Sequence, residues 1–376
     1  LQFSFAPATF EQTTLGGEMR YILIILFLSA SLLAGEHGIY LRVAKQVQGD
    51  FATVKETVKN NLDSAGFNIL ADLDLATPAL VREEPSKRSG YKAGVLVLSN
   101  DAYTGILTSY GNKYLVAGML RVGFYENNDG LNINIIDPET INRIVFNDID
   151  NKQYEDIIQS TQPIKEKLIT AIHGSVSGIN EMLVMEPIRS TEALREADAD
   201  MFMMVGDMTF FTDEDQFPVI YKQDTTDPEN DIKLLYRVMQ NNLKDFIPSQ
   251  DDREYNWSDG GTKNLSWRIA GEIWAPDGKA MVFGITRPRT EGLSFHIAGD
   301  SRSDDTDLSP GLDHAPAYPI EVLILADGDE LKVMTQRQMF RMDMYFWDAG
   351  KMAFMSYRGM PSMLDESIKK ALLKVD

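Results

Sequence analysis

The chain contains no cysteine in 376 residues. That removes thiolate nucleophiles, iron-sulfur clusters, cysteine-ligated zinc and disulfides together, and it fits an export route that makes no cross-links. Histidine is scarce as well: His37, His173, His296 and His314 are the only four, and no two stand at a metal-ligand spacing. There is no HExxH, P-loop or dinucleotide fingerprint. Gly174-Ser175-Val176-Ser177-Gly178 carries valine where a nucleophile elbow needs its serine, and it reads as a flexible linker. Positive charge is short, with 36 Lys+Arg against 56 Asp+Glu and a net charge of -20. Phosphate backbones and anionic lipid both require a basic surface, so nucleic acid is excluded as a partner and adhesion to a charged bilayer is disfavoured.

Long apolar runs are also missing. The longest lies in residues 19–35, MRYILIILFLSASLLAG, and is shorter than the roughly 20 residues a spanning helix needs. One arginine, an apolar run and then small residues are the three regions of a secretory signal, cleaved near Gly35, with an uncleaved membrane anchor as the alternative. Glu36 stands where a lipoprotein would have its acylated cysteine, which excludes lipidation. Residues 1–18 precede the signal, and Gly16-Gly17-Glu18 matches a ribosome-binding site read as protein, so translation is expected to start at Met19. The expected address is periplasmic or secreted, in a bacterium, with no transmembrane span after signal cleavage.

What is present is a repeat. Residues 117–148, AGMLRVGFYENNDGLNINIIDPETINRIVFND, lie without a net gap over residues 317–348, AYPIEVLILADGDELKVMTQRQMFRMDMYFWD, at a spacing of 200. Ala117 meets Ala317, Val122 meets Val322, Asp129 meets Asp329, Leu131 meets Leu331, Phe146 meets Phe346 and Asp148 meets Asp348. The length suits two domains of about 150 residues, and a repeat of this length means one domain duplicated.

In the first copy a strand is expected over 39–47 and a helix over 51–65, with Val54, Val58 and Leu62 on one face and Gly66 as its stop. Short strands follow at 67–75 and 93–98. A hairpin then turns at Asn127-Asn128-Asp129-Gly130 and leaves through Leu131, Ile133 and Ile135 alternating with Asn132 and Asn134. Its amide-rich face reads as uncovered. A helix over 151–173 closes the unit. The second copy repeats this order with a strand at 216–222, a helix over 231–246, strands at 265–275, 280–286, 317–326 and 331–346, and a helix over 363–374. Its extra residues fall in 249–263 and 300–314, which read as surface loops, and Asp251-Asp252 as a solvated turn. The expected fold class is α+β: two tandem β-α-β(4)-α domains, each an antiparallel sheet with helices on one face, forming a pseudo-dimer by internal duplication. The boundaries are 36–176 for the first domain, 177–212 for the linker and 213–376 for the second.

The segments VKNNLDSAGFNILADLDLA at 58–76, VLVLSN at 95–100 and RVGFYENNDGLNINIIDPETI at 121–141, with the closing helix, resemble the bacterial family known only as the domain of unknown function DUF302. The family's helix ending in a Gly-aromatic pair matches Gly66-Phe67, and its Arg-Val at the hairpin strand matches Arg121-Val122. The resemblance covers 52–173, with a diverged second copy over 231–373 in which Glu321 replaces Arg121 and Pro319 fits the family better than Met119 does. It implies a TBP-like α+β fold and no established activity. That fold name brings no DNA binding, because the charge has the wrong sign.

Two groups of residues could carry chemistry. Asp304, Asp305, Asp307, Asp313 and His314 gather hard oxygen ligands in a segment the first copy lacks, a candidate calcium loop without the glycine and terminal glutamate of an EF-hand. A solvated acidic loop is the simpler reading. Methionine is crowded into the second copy, and Met339, Met342, Met344, Phe346, Trp347 and Phe354 form a candidate ligand pocket. Thioethers could hold Cu(I), although core filling accounts for the same residues. No catalytic residue is assigned. The expectation is a non-catalytic module binding a small molecule or an envelope protein, with periplasmic metal handling as the alternative and a hydrolase behind it.

Overall fold

The computed structural model describes residues 35–78, 81, 90–196, 216–254, 264–300, 302 and 310–374. The signal segment, residues 197–215 of the expected linker and second domain, and Asp304, Asp305 and Asp307 lie outside the described residues.

The first half runs β1 (Glu36–Val47), α1 (Phe51–Ser64), β2 (Asn68–Leu75), β3 (Lys92–Ser99), α2 (Asp101–Ser109), a 3-10 segment (Asn112–Gly118), β4 (Leu120–Asn127), β5 (Gly130–Ile136), α3 (Pro138–Val145) and α4 (Asn151–His173). Beyond it come β6 (Ile179–Ser190) and α5 (Thr191–Glu196). The second half runs β7 (Val219–Asp224), α6 (Pro228–Lys244), α7 (Gln250–Glu254), β8 (Arg268–Trp274), β9 (Ala280–Thr286), α8 (Pro288–Asp300), a second 3-10 segment (Leu312–Ala317), β10 (Ile320–Asp327), β11 (Glu330–Thr335), α9 (Gln338–Phe346), α10 (Gly350–Ser356) and α11 (Met360–Leu373).

Strand order is β2-β3-β4-β5-β1-β6 in one sheet and β7-β11-β10-β9-β8 in the other. Reversed, the second reads β8-β9-β10-β11-β7, which is the order of the first five strands of its neighbour. The fold is thus a duplicated α+β unit with antiparallel sheets. Residues 179–190, in the stretch expected to be linker, form a sixth strand on the first sheet, outside β1.

Local chemistry sets the elements. The Asp50 side chain accepts from Thr53 N at 3.0 Å and caps α1, Val54, Val58 and Leu62 are buried on one face, and Gly66 at φ 78° ends the turn. Both hairpins close through two residues, pairing Asn127 with Gly130 and Asp327 with Glu330, which explains the register-perfect match around Asp129 and Asp329.

Three further expectations are corrected. Residues 338–346, read as the end of a strand, are helical. The run 249–263 is not all surface: Asp252 is 1% exposed. The amide face of the first hairpin is also covered, since Asn132 and Asn134 are buried beneath the 3-10 segment of the other half, which packs on β3, β4 and β5.

Candidate functional site

The halves are joined reciprocally. The 3-10 segment 312–317 lies on β3 and β4 of the first half, while 112–118 lies on β9 and β10 of the second. Exchange of equivalent elements is what two-fold-related copies do. Glycine permits the approach: a Cβ on Gly123 would sit 2.5 Å from Pro316 Cδ. At the sheet edges, Gly271 at φ 94° brings β8 against Leu70 of β2.

Arg121 and Glu321, equivalent positions in the repeat, meet across this junction at 2.6 Å with both side chains buried. Two identical chains would set arginine against arginine here, and the glutamate converts that repulsion into an ion pair. Arg121 also donates to Tyr345 Oη at 2.8 Å and to the carbonyls of Ala317 and Pro319, each at 3.3 Å. Arg341 donates to the same two carbonyls, stacks 4.8 Å from the Tyr345 ring, and brings Nε to 3.7 Å from Glu321. Two guanidiniums therefore share one carboxylate in a dry site, where partners must be internal.

The identical pairs of the repeat have a common structural use. In the first half Tyr114 donates to Asp148 Oδ1 at 3.1 Å and stacks on Phe146 at 4.2 Å. In the second, His314 takes the tyrosine's place, 2.9 Å from Asp348 Oδ1 and stacked on Phe346 at 5.3 Å. Arg302 joins Asp313 at 2.7 Å and Asp348 at 2.7 Å. Burial alone would strip the proton from His314, but the carboxylates of Asp348 and Asp313 outweigh it and raise the imidazole to about 9. The same network holds Asp313 and Asp348 below the usual carboxylate range, against burial that works the other way.

A pH dependence follows. Because His314 is raised above its ordinary 6.5, its contribution to stability is complete below that value and is lost as pH rises through about 9. His314→Gln should flatten the melting-temperature profile between pH 7 and 10 relative to the native chain. Parallel profiles for the two would contradict the assignment.

The residues singled out in the sequence are placed as follows. Met342, Met344 and Phe346 are buried at 6, 2 and 8% exposure in the core, on a helix that packs against β6 and α11. Arg189 of β6 holds that helix by donating to the Asp343 carbonyl at 2.7 Å. Met339 and Trp347 are half-buried, and the side chain of Phe354 is outside the description. Asp313 and His314 are brought together, but with Arg302 and Asp348 as their partners. Among the described residues no cluster of three His, Cys, Asp or Glu could hold a metal ion.

A second ionisable cluster braces α3 to α4. Lys165 lies 2.8 Å from Asp137 and 3.2 Å from Glu139, and Arg143 lies 2.9 Å from Glu139. Burial pushes Asp137 up, whereas Lys165, Gln162 and Arg143 overcome burial at Glu139 and take it to about 2. Carboxylates driven apart can mark an acid-base pair. Here Asp137 caps α3 through Glu139 N and Thr140 Oγ1, so its oxygens are committed to structure.

Two open surfaces among the described residues stand out, and sequence reasoning missed both. One is the outer edge of β6, where Ile179, Met182, Leu183 and Val184 are 48, 59, 45 and 38% exposed. The other is a cavity of about 290 Å³ lined by Asn242, Asp245, Phe246, Ile247, Ser249, Lys370 and Lys374, at the ends of α6 and α11. The edge was announced by the apolar letters of INEMLVMEPIRS, 179–190, which a linker does not need. The cavity had no comparable signal.

No helix among the described residues is long and apolar enough to cross a membrane. No protein-family model matches the chain, and no curated protein matches it. Among solved structures it is similar to an uncharacterized conserved DUF302 protein from Bacillus stearothermophilus, with 14% identity and a TM-score of 0.29, over 36% of this chain and 98% of that one.

Proposed function

We propose that this protein is an exported, non-catalytic binding module that takes an extended segment of an envelope protein along the free edge of β6. The observation that carries the reading is the edge itself. Among the described residues β6 is the last strand of its sheet, and on its first half, 179–184, ahead of the buried Pro187, four large apolar side chains stand in solvent. Natural sheets blunt such edges with charge, proline or a cover, because unpaired N–H and C=O groups beside apolar side chains recruit another strand. Strand addition takes affinity from the backbone and specificity from alternate side chains. On β6, Leu183 and Ile179 lie on one face and Met182 and Val184 on the other, so both faces of an added strand would find apolar neighbours. Support for a non-catalytic role comes from the buried ionisable groups at the junction, at His314 and at Asp137, which are engaged with internal partners. Export rests on the signal-like segment 19–35.

A photo-crosslinking residue at position 182 tests this in the producing cell. Discrete adducts are expected there, absent from a control at the exposed Leu234 and lost on Leu183→Asp. That substitution, at an exposed site, should change stability by no more than about 0.5 kcal/mol. Absence of adducts at 182, or their persistence in the variant, would sink the reading.

A further inference from the structure

The repeat shows what the second half has done at the end of its first helix. In both halves an asparagine ties that helix to the closing one: Asn61 Nδ2 donates to Ala171 O at 3.4 Å, and Asn242 Nδ2 to Leu372 O at 2.7 Å. Beyond this shared tie the halves diverge. The first turns sharply at Gly66, φ 78°, and sends Phe67 into the core at 1% exposure. The second has Asp245-Phe246-Ile247-Pro248-Ser249 instead, which leads into α7, packed on α11. The aromatic that would seal the corner is only half-buried, and Ile247 is 78% exposed. The cavity of about 290 Å³ occupies the corner so vacated.

The corner is held open. Asp252, three residues past Ser249, is gripped by the fully buried Arg287 at 2.8 and 3.0 Å and by Ser367 at 2.9 Å. Chain running toward this anchor cannot fall back onto the helix ends.

The lining has a definite chemistry. Phe246 and Ile247 supply an apolar wall. Lys374 lies 3.4 Å from Asp245 across the mouth, while Lys370, half-buried on the lining, has no carboxylate partner among the described residues. Among the described lining residues two ammoniums stand against one carboxylate, which leaves one positive charge beside an exposed hydrocarbon surface.

We infer that this corner binds a small amphipathic monoanion, its tail against Phe246 and Ile247 and its anionic head on the Lys370 ammonium. At about 290 Å³ the space stands at the small end of ligand pockets and suits a ligand of about ten non-hydrogen atoms. Octanoate is of that size, and a ligand so small should bind with a dissociation constant on the order of 1 mM. The inference is independent of the β6 edge.

Titration of the full chain with octanoate, octanol and octylammonium, followed by NMR at the Ile247 methyls and the Lys370 side chain, tests it. Octanoate should shift both groups and bind about ten-fold more tightly than octanol, and octylammonium should bind no better than octanol. Lys370→Met, at a half-buried position that makes no ion pair, should remove the octanoate advantage and leave octanol unchanged. Equal binding of all three probes would overturn the anion assignment while leaving an apolar site. No shift at Ile247 with any probe would overturn the site itself.

Discussion

Replacing Arg121 with methionine is expected to destabilise the protein by about 3–5 kcal/mol, the range for breaking a buried ion pair from one side. The loss is large because one side chain serves four partners: Glu321, Tyr345 and the carbonyls of Ala317 and Pro319. Without it, Glu321 keeps only the Arg341 contact at 3.7 Å. Arg121→Glu should be worse, since it sets two carboxylates together at a buried contact. The informative variant is the exchange, Arg121→Glu with Glu321→Arg. The two positions are equivalents in the repeat and face each other, so reversing the pair restores the attraction and should recover more than half of the single-variant losses in a double-mutant cycle read by urea denaturation. Additive losses would mean that the contact does not join the halves as described.

Asp252→Asn carries the second large effect, again about 3–5 kcal/mol. Arg287 is fully buried and its guanidinium is bidentate on Asp252, with Thr290 on Nε at 2.8 Å and the Trp267 ring at 4.7 Å. The asparagine keeps the shape and removes the charge, leaving a buried cation uncompensated. Ser367 also loses its anionic acceptor. Because α7 is only five residues long and this ion pair is its buried anchor, limited proteolysis should reach 250–254 in the variant well before it reaches the sheets. Asp252→Leu combined with Arg287→Met should recover most of the stability, as apolar replacement of buried pairs often does. A variant that keeps native stability and native cleavage would show that Asp252 does not anchor the insertion.

Much of the architecture was legible because it is written twice. The ungapped match from 117 to 148 located both hairpins, and its identical Phe146/Phe346 and Asp148/Asp348 proved to be the platform and acceptor for Tyr114 and His314. Helix α9 was missed because Met339, Met342, Met344 and Phe346 can be read as a strand, and its N-terminal Arg337 makes no side-chain cap. The first copy held the missing signal: Asp137 followed by Pro138 is a cap and a first helical residue, and carrying it across at 200 residues would have placed α9.

The candidate sites were harder to read, for a physical reason. An alternation of Asn132 and Asn134 with aliphatic residues normally means one wet face, and only the other half of the molecule shows that this face is dry. Asp252 looks like any acid in a polar loop until Arg287 is seen beneath it. Methionines at 342 and 344 fit a groove or a core equally well from sequence, and the packing of α9 between β6 and α11 puts them in the core. In each case the deciding partner lies far along the chain.

The account stands on two copies that form one cooperative structure, each covering part of the other's sheet. Native-state hydrogen exchange along a urea series measures this most directly. Amides of β3 and β4 and those of β9 and β10 should open with the same free energy, to within about 0.5 kcal/mol, and with the same urea slope, because neither sheet keeps its cover once the other half is lost. If one sheet opens while the other stays protected, the halves are independent domains and the junction at Arg121 and Glu321 does not have the role given to it here.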